Sequence, residues 1–305
     1  MEVEMKLAVI GDIHSNHIAL ETCIKHALAR NVDEFLFLGD YVSDCPYPQK
    51  TMKMIYEMKE KYRCTFIRGN REDYMLDHRK NPQQRWTYSS ASGNLLYTYE
   101  NLTKRDLDFY EEMDIQGIYV REGYPVFRYC HGSPARSNEL LTFENDALKK
   151  IIEALDVDLI ISGHTHVQES VMFGSIKLIH PGSVGLPWYY EGKTQYMILH
   201  GTDHGWEEEF FQLNYDVDAM KEEFLTSGIM EKALHWPKLI LHCLYTGNDY
   251  TSLCLLQAMK LCREAEGEAN WPDIPEKYWE MAFSQLVAPY TPDRGDTGAF
   301  VPANL

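Results

Sequence analysis

Seven side chains able to bind metal or move protons stand where short apolar runs of this sequence stop: Asp12, His14, Asp40, Asn70, His131, His164 and His166. Together they offer two carboxylates, four imidazoles and one amide oxygen. That donor set suits divalent or trivalent ions such as Mn, Fe, Zn, Ni or Co. It holds too much nitrogen for a calcium or magnesium cage. Singly, each is weak, since Asp-x-His is commonly a turn or helix cap and Gly-Asn a turn. Suitable types at five successive run ends are the stronger signal. Asp12 and His14, like His164 and His166, are two apart, which in an extended segment points both side chains one way. Glycine precedes Asp12, Asp40, Asn70 and His164, and is expected to let the backbone turn tightly beside the cluster.

The runs themselves read as buried strands: Lys6–Ile10, Glu34–Leu38, Cys64–Ile67, Tyr124–Cys130 and Asp158–Ile161. Amphipathic stretches at His17–Ala29, Gln49–Lys61 and Phe143–Leu155 alternate with them, which predicts an α/β fold with a largely parallel sheet. The carboxyl ends of parallel strands meet at one edge, where ligands bind, so residues distant in sequence converge there. Residues of about 72–112 are polar, aromatic and helical in pattern, and read as an insertion. From Val167 to Leu213 come β-type runs, Glu169–Phe173, Ser175–Ile179, Gln195–Leu199 and Glu208–Leu213, joined by short links. Antiparallel pairing of these predicts a second sheet and a sandwich. Beyond Tyr215, helices are expected at Asp216–Thr226, Met230–Tyr245, Ser252–Glu266 and Glu276–Ala288, with Leu239, Ile240, Leu244, Leu253, Leu256 and Leu261 on their apolar faces. The expected division is a catalytic domain over 1–214 and a helical extension over 215–305, with Pro289–Leu305 poorly ordered unless tied down. The extension could cap the site, pack on the sandwich or mediate homo-oligomer formation.

The 305 residues suffice for one large domain with an appendage. With 29 Lys and Arg against 46 Asp and Glu, the formal charge is −17. Such a surface repels nucleic acid and anionic membranes at long range, though bound cations can reverse the field inside a site. No apolar run is long enough to span a bilayer, and the N-terminal segment lacks the basic-then-apolar order of a signal peptide. The seven cysteines are scattered and form no CxxC pair, so reduced core thiols are expected. These features predict a soluble, cytoplasmic protein.

The ordered blocks Gly11-Asp12-Ile13-His14, Gly39-Asp40, Gly69-Asn70, His131-Gly132 and Gly163-His164-Thr165-His166 resemble the calcineurin-like metallophosphoesterase superfamily. Leu38–Pro48 and His180–Pro187 look like a bacterial branch of small phosphodiesterases and dinucleoside-polyphosphatase-like proteins. The resemblance covers residues 5 to about 213. It implies a four-layer α/β/β/α sandwich carrying two adjacent metals. Asp12, His14 and His166 would hold the first, Asn70, His131 and His164 the second, and Asp40 would bridge them. Metals about 3.5–4 Å apart activate a bridging water, and the resulting hydroxide would attack phosphorus. The implied substrate is a small phosphorylated molecule, with nucleotides among the candidates. A serine/threonine protein phosphatase or other phosphomonoesterase is the alternative. A third reading is a non-catalytic scaffold, as in a retromer subunit of similar fold.

The sequence departs from the family pattern at Arg71. Many relatives carry His there, to protonate or position the leaving group. Arg71 stays charged and cannot act as an acid, but it can clamp a phosphate through paired hydrogen bonds. A similar Gly-Asn-Arg-Asp block occurs in the lipid A pathway hydrolase of the superfamily, which cleaves a pyrophosphate. Arg71 therefore leans the reading toward phosphoanhydrides or activated diesters, the alternative being a surface pair with Glu72 or Asp73. Arg71 and His131 are the candidate catalytic groups, and Arg71 and Ser133 the candidate substrate contacts. His180 reads as structural. Gly182-Ser183 reads as a turn near the site or a plain β-turn. Trp188, Tyr189 and Tyr190 could stack on a base or serve as core. No chemistry is attached to Cys45.

Overall fold

The computed structural model describes residues 5–83, 85–141, 152 and 157–287. The first strands and helices alternate: β1 (Met5–Ile10), α1 (His17–Ala29), β2 (Glu34–Phe37), α2 (Pro48–Lys61) and β3 (Cys64–Phe66). Three helices follow, α3 (Asn70–Lys80), α4 (Gly93–Glu100) and α5 (Lys104–Glu111). The remaining strands are β4 (Gln116–Tyr119), β5 (Phe127–Cys130), β6 (Leu159–Ser162), β7 (Gln168–Phe173), β8 (Ile176–Pro181), β9 (Lys193–Thr202) and β10 (Gly205–Asn214). Five helices close the described chain: α6 (Val217–Thr226), α7 (Ile229–Ala233), α8 (Trp236–Thr246), α9 (Thr251–Glu266) and α10 (Glu276–Leu286). The expected helix Phe143–Leu155, Ile152 apart, and the tail Pro289–Leu305 lie outside the described residues.

Two five-stranded mixed sheets form, in the orders β10-β9-β1-β2-β3 and β4-β5-β6-β8-β7. The strands divide otherwise than the sequence suggests. β9 pairs antiparallel with β1 and so extends the first sheet, while β5 and β6 found the second. The reason is register: β9 is buried along almost its whole length, as a strand with a neighbour on each side and a layer on each face must be. The strand β4 was not anticipated, because its short run Gln-Gly-Ile-Tyr is only partly buried.

The alternation of side chains along β1 and β2 builds the sandwich. Ala8, Ile10, Phe35 and Phe37 face a core shared with Leu20, Ile24 and Met52 of the covering helices. Leu7, Val9 and Leu36 face the other way, against Phe127, Ile161 and Ile179 of the second sheet. On the far face of that sheet, Cys130, Ile160 and Leu178 pack with Leu141 and Ile152. The result is the expected four-layer α/β/β/α fold with C-terminal helices.

Those helices sit close to the sandwich. Met220 and Phe224 of α6 and Ile240 and Leu244 of α8 share a core with Tyr97 and Leu186. A methyl group on Gly93, at the start of α4, would fall 2.1 Å from the carbonyl oxygen of Lys232 in α7. The single helix expected at Met230–Tyr245 is two. Leu234 has φ 52°, and Pro237 occupies the first turn of α8, where its missing N–H costs nothing. Leu253 and Leu256 are exposed, against expectation. α9 instead buries Cys254, Ala258 and Cys262, a stripe of small residues at fourfold spacing that lets Trp279 and Ala282 of α10 approach. All seven cysteines are free. Among the described residues no helix is long and apolar enough to cross a membrane.

Candidate metal centre

The loops after β1 and β2 are laced together. Asp12 N donates to Gly39 O at 3.2 Å, and Ile13 N and His14 N donate to Asp40 O at 2.8 and 2.9 Å. These residues are not extended. Asp12, His14, Asp40, His164 and His166 all have φ between 49° and 70°. So the tight turns fall on the candidate ligands themselves and not chiefly on the glycines before them. Only Gly39 of the four shares a positive φ, at 89°. Left-handed backbone is costly for non-glycine residues and is held only where surrounding bonds over-determine it. Glu72 supplies three of those bonds, its carboxylate accepting from the N–H groups of Asp40, Tyr41 and Gly69 at 2.8 Å each.

All seven candidate residues converge. Asp12, His14 and His166 place one donor atom each within 4.8 Å of one another, and Asp40, His131 and His164 do the same. Asp40 lies between the groups: Oδ2 is 3.6 Å from His14 Nε2 and Oδ1 is 3.4 Å from His131 Nε2. Asn70 Oδ1 is 3.1 Å from His131 Nε2. Two groups of residues that could hold a metal ion therefore stand side by side.

The donors fit cations. His166 Nδ1 faces the Leu186 carbonyl at 2.8 Å and His14 Nδ1 faces the Asp44 carboxylate at 2.8 Å. The Leu186 carbonyl only accepts, so His166 Nδ1 carries the proton and its Nε2 presents a lone pair, while the charge of Asp44 beside His14 Nδ1 favours a proton there without a well-aligned hydrogen bond. Those two Nε2 atoms are 3.0 Å apart. Lone pairs so close repel unless a positive charge lies by them. His131 repeats the arrangement, its Nδ1 donating to Leu38 O at 2.7 Å.

The electrostatics point the same way. Burial pushes the Asp12 carboxyl up to about 6, with the charge of Asp40 adding to it against His131. Burial opposes a charge on His131, but Asp40 and Asp12 outweigh it and raise the imidazole to about 10. Burial and then the charge of His131 hold His164 down at about 4. Burial also holds His166 well below the usual imidazole range, with His14 adding to it. A cation seated among these groups would favour the ionised carboxylates and neutral imidazoles that bind it.

Arg71 sits at the edge of this cluster. Its backbone N–H donates to Asp40 Oδ1 at 2.8 Å, and Nη2 is 3.0 Å from Asp44 Oδ2. It pairs with neither Glu72, which holds backbone, nor Asp73, which binds Arg68 at 2.6 Å. The cluster opens into a cavity of about 350 Å³, whose lining includes Leu140, Trp188 and, from α8, Trp236 and Ile240. A larger hollow of about 680 Å³ between α2 and α5 contains none of the seven residues.

The remaining candidates separate. Ser133 does not line the cavity. It is fully buried, donates to Glu139 and accepts from the N–H groups of Ala135 and Arg136 at 3.1 Å each, so it shapes its own loop. His180 is buried against the Ser162 carbonyl at 2.9 Å, and burial holds it at about 4. Ser183 donates to Asp12 O at 2.8 Å and so braces the first group from behind. Trp188 lies 5.3 Å from the His166 ring, centroid to centroid, whereas Tyr189 is exposed. Sequence reasoning missed Asp44 and Trp236. Asp44 lies within Leu38–Pro48, and its spacing of four from Asp40 was the only available signal. Trp236 carried none.

Gly69 packs directly against two of the candidate ligands. A methyl group there would fall 2.2 Å from Asp40 Oδ1 and 2.8 Å from His131 Cε1. Gly69→Ala is therefore expected to displace Asp40 and to lower manganese affinity by at least about tenfold, in line with other ligand-orienting substitutions. Isothermal titration of the folded variant checks this, and an unchanged affinity would show that the loop can give way.

The sequence profile of the calcineurin-like phosphoesterase family matches residues 5–168. The chain belongs to that family. An uncharacterized protein of Methanocaldococcus jannaschii, MJ0912, is 24% identical over 244 residues, which cover 75% of this chain and 96% of that protein. A hypothetical protein of Pyrococcus horikoshii, PH1004, superposes with a TM-score of 0.67 at 17% identity, covering 80% of this chain and 99% of its own. A metallophosphoesterase from Sphaerobacter thermophilus superposes with a TM-score of 0.61 at 21% identity, covering 80% of this chain and all of its own. At these identities the two structures share the fold.

Proposed function

We propose that this chain is a metal-dependent phosphoesterase that hydrolyses a phosphodiester or phosphoanhydride bond in a small phosphorylated substrate. The observation that carries the reading is Asp40 set between two groups of candidate ligands, with Arg71 beside it. In this reading Asp12, His14 and His166 hold one ion, and Asn70, His131 and His164 the other, with Asp40 shared. Two such ions, when bound, neutralise phosphoryl charge and make water a stronger nucleophile. The chain supplies the rest. Arg71 Nε has no hydrogen-bond partner among the described residues, so a phosphate oxygen can take it. The cavity of about 350 Å³, with Trp188 and Trp236 in its lining, suits a small molecule such as a nucleotide. Free thiols suit a reducing compartment such as the cytoplasm.

Leaving-group chemistry separates this reading from a phosphomonoesterase of the protein phosphatase kind. Arg71 cannot protonate an alkoxide, whereas a terminal phosphate, with a second pKa of about 6, departs unaided. With manganese present, hydrolysis of a dinucleoside polyphosphate is expected to exceed that of a simple alkyl phosphate by at least about tenfold, which corresponds to about 1.4 kcal/mol. Equal rates, or a preference for the alkyl ester, refute the substrate class. A chain that binds no metal and hydrolyses neither is the scaffold.

A further inference from the structure

Three polar groups from distant parts of the chain, and the hydroxyl of the preceding residue, meet on one carboxylate that belongs to neither group of candidate ligands. Asp44 is completely buried. Its Oδ2 lies 2.8 Å from His14 Nδ1 and 3.0 Å from Arg71 Nη2, and accepts from Ser43 Oγ at 2.9 Å. Its Oδ1 accepts the indole N–H of Trp236 at 2.8 Å. A buried carboxylate persists only when charge and hydrogen bonds offset its lost hydration, and here both do. The guanidinium of Arg71 and the imidazole of His14 hold it below the usual carboxylate range despite burial.

The backbone under Asp44 is fixed with equal care. Its φ is 66°, in the left-handed region. Asn94 of α4 clamps it twice, accepting from Asp44 N at 2.9 Å and donating to Asp44 O at 3.1 Å. Strain of this kind, held by a dedicated clamp, is characteristic of positions that aim a functional group.

We propose that Asp44 is a positioning residue that sets His14 and Arg71 for catalysis and, through the indole of Trp236, makes α8 part of the active site. Its charge, 2.8 Å from Nδ1, favours the tautomer of His14 that carries the proton there and leaves Nε2 for a cation. Binding a single nitrogen of Arg71, it stops the guanidinium from rotating while leaving Nε for substrate. Trp236 transmits the position of the C-terminal helices to the same carboxylate. The rate arm of this inference rests on the phosphoesterase reading, and the metal-affinity arm does not.

Asp44→Asn keeps the shape but turns an amide N–H toward at least one of the four polar groups, and it removes the charge opposite Arg71. The full chain carrying it is expected to lose about 10–100-fold in manganese affinity, measured by electron paramagnetic resonance of the free ion. A similar further loss is expected in kcat/KM on bis-p-nitrophenyl phosphate. Circular dichroism at the assay temperature establishes that the variant is folded. Trp236→Phe retains the ring and removes only the donor. It is expected to lower kcat/KM several-fold in the wild type and to have no further effect in Asp44→Asn, because the two groups act as one unit. Wild-type manganese affinity in folded Asp44→Asn overturns the positioning role. Equal effects of Trp236→Phe in both backgrounds overturn the link to α8. A wild type that binds manganese without hydrolysing the diester defeats the phosphoesterase reading alone, and the affinity comparison still decides Asp44.

Discussion

Asp40→Asn is expected to lower kcat/KM on bis-p-nitrophenyl phosphate by about 10³-fold, the largest effect of any single substitution. Asp40 is buried, and its two oxygens face the two groups of candidate ligands at 3.6 and 3.4 Å. Its carboxyl is held far below the ordinary range: burial opposes the charge, but His131, His14 and Arg71 outweigh it. It is therefore an anion set between both groups of candidate ligands. The amide has almost the same volume and can still accept from Arg71 N, so the loop is kept and only the charge is lost. Metal sites contribute several kcal/mol to charge stabilisation, and each 1.4 kcal/mol is about tenfold in rate. Elemental analysis should show the metal content falling from about two ions per chain to one or fewer. Full activity in the variant would remove Asp40 from the centre of the mechanism.

Arg71→Ala is expected to cost about 10²–10³-fold in kcat/KM, the usual loss when a fixed charge aimed at the transition state is removed. The metal content should not change, because Arg71 touches the ligands only through its backbone N–H and the distant edge of Asp40. That combination separates it from Asp40 and from Asp44. Arg71→Lys should recover only part of the loss, since an ammonium group is a point charge and cannot fork onto two phosphate oxygens. Steady-state kinetics with metal analysis on the same samples measure both. A rate within about twofold of wild type in Arg71→Ala would leave Asp44 as the sole purpose of the guanidinium.

The sequence revealed the cluster better than the architecture. Asp12, Asp40, Asn70, His131 and His164 announce themselves because strands must end before polar ligands, and the ends are local features. Which sheet a strand joins is not local. β9 lies beside β1 and β6 beside β8, pairings decided by long-range register and by burial on both faces. The same limit hid Trp236. Nothing in the sequence around His235-Trp236-Pro237 indicates a partner 192 residues away, yet its indole ends on Asp44. Arg71 was legible as a charge but not in its pairing, because Glu72 and Asp73 were nearer along the chain. Glu72 was already committed to three backbone N–H groups, and only the folded loop reveals that. The extended geometry expected for Asp12 and His14 failed for a related reason. Hydrogen bonds from the β2 loop force a conformation that the residues would not choose alone.

Asp12, His14, Asp40 and Asn70 follow strands of the first sheet, whereas His131, His164 and His166 follow strands of the second. The cluster therefore straddles the seam of the sandwich. Ions seated there would act as rivets through two plates that otherwise adhere by apolar contact. At concentrations about a hundredfold above dissociation, each adds about 2.7 kcal/mol to the folded state. On the proposed function, the catalytic inventory of this chain and its resistance to delamination would then be one and the same set of bonds.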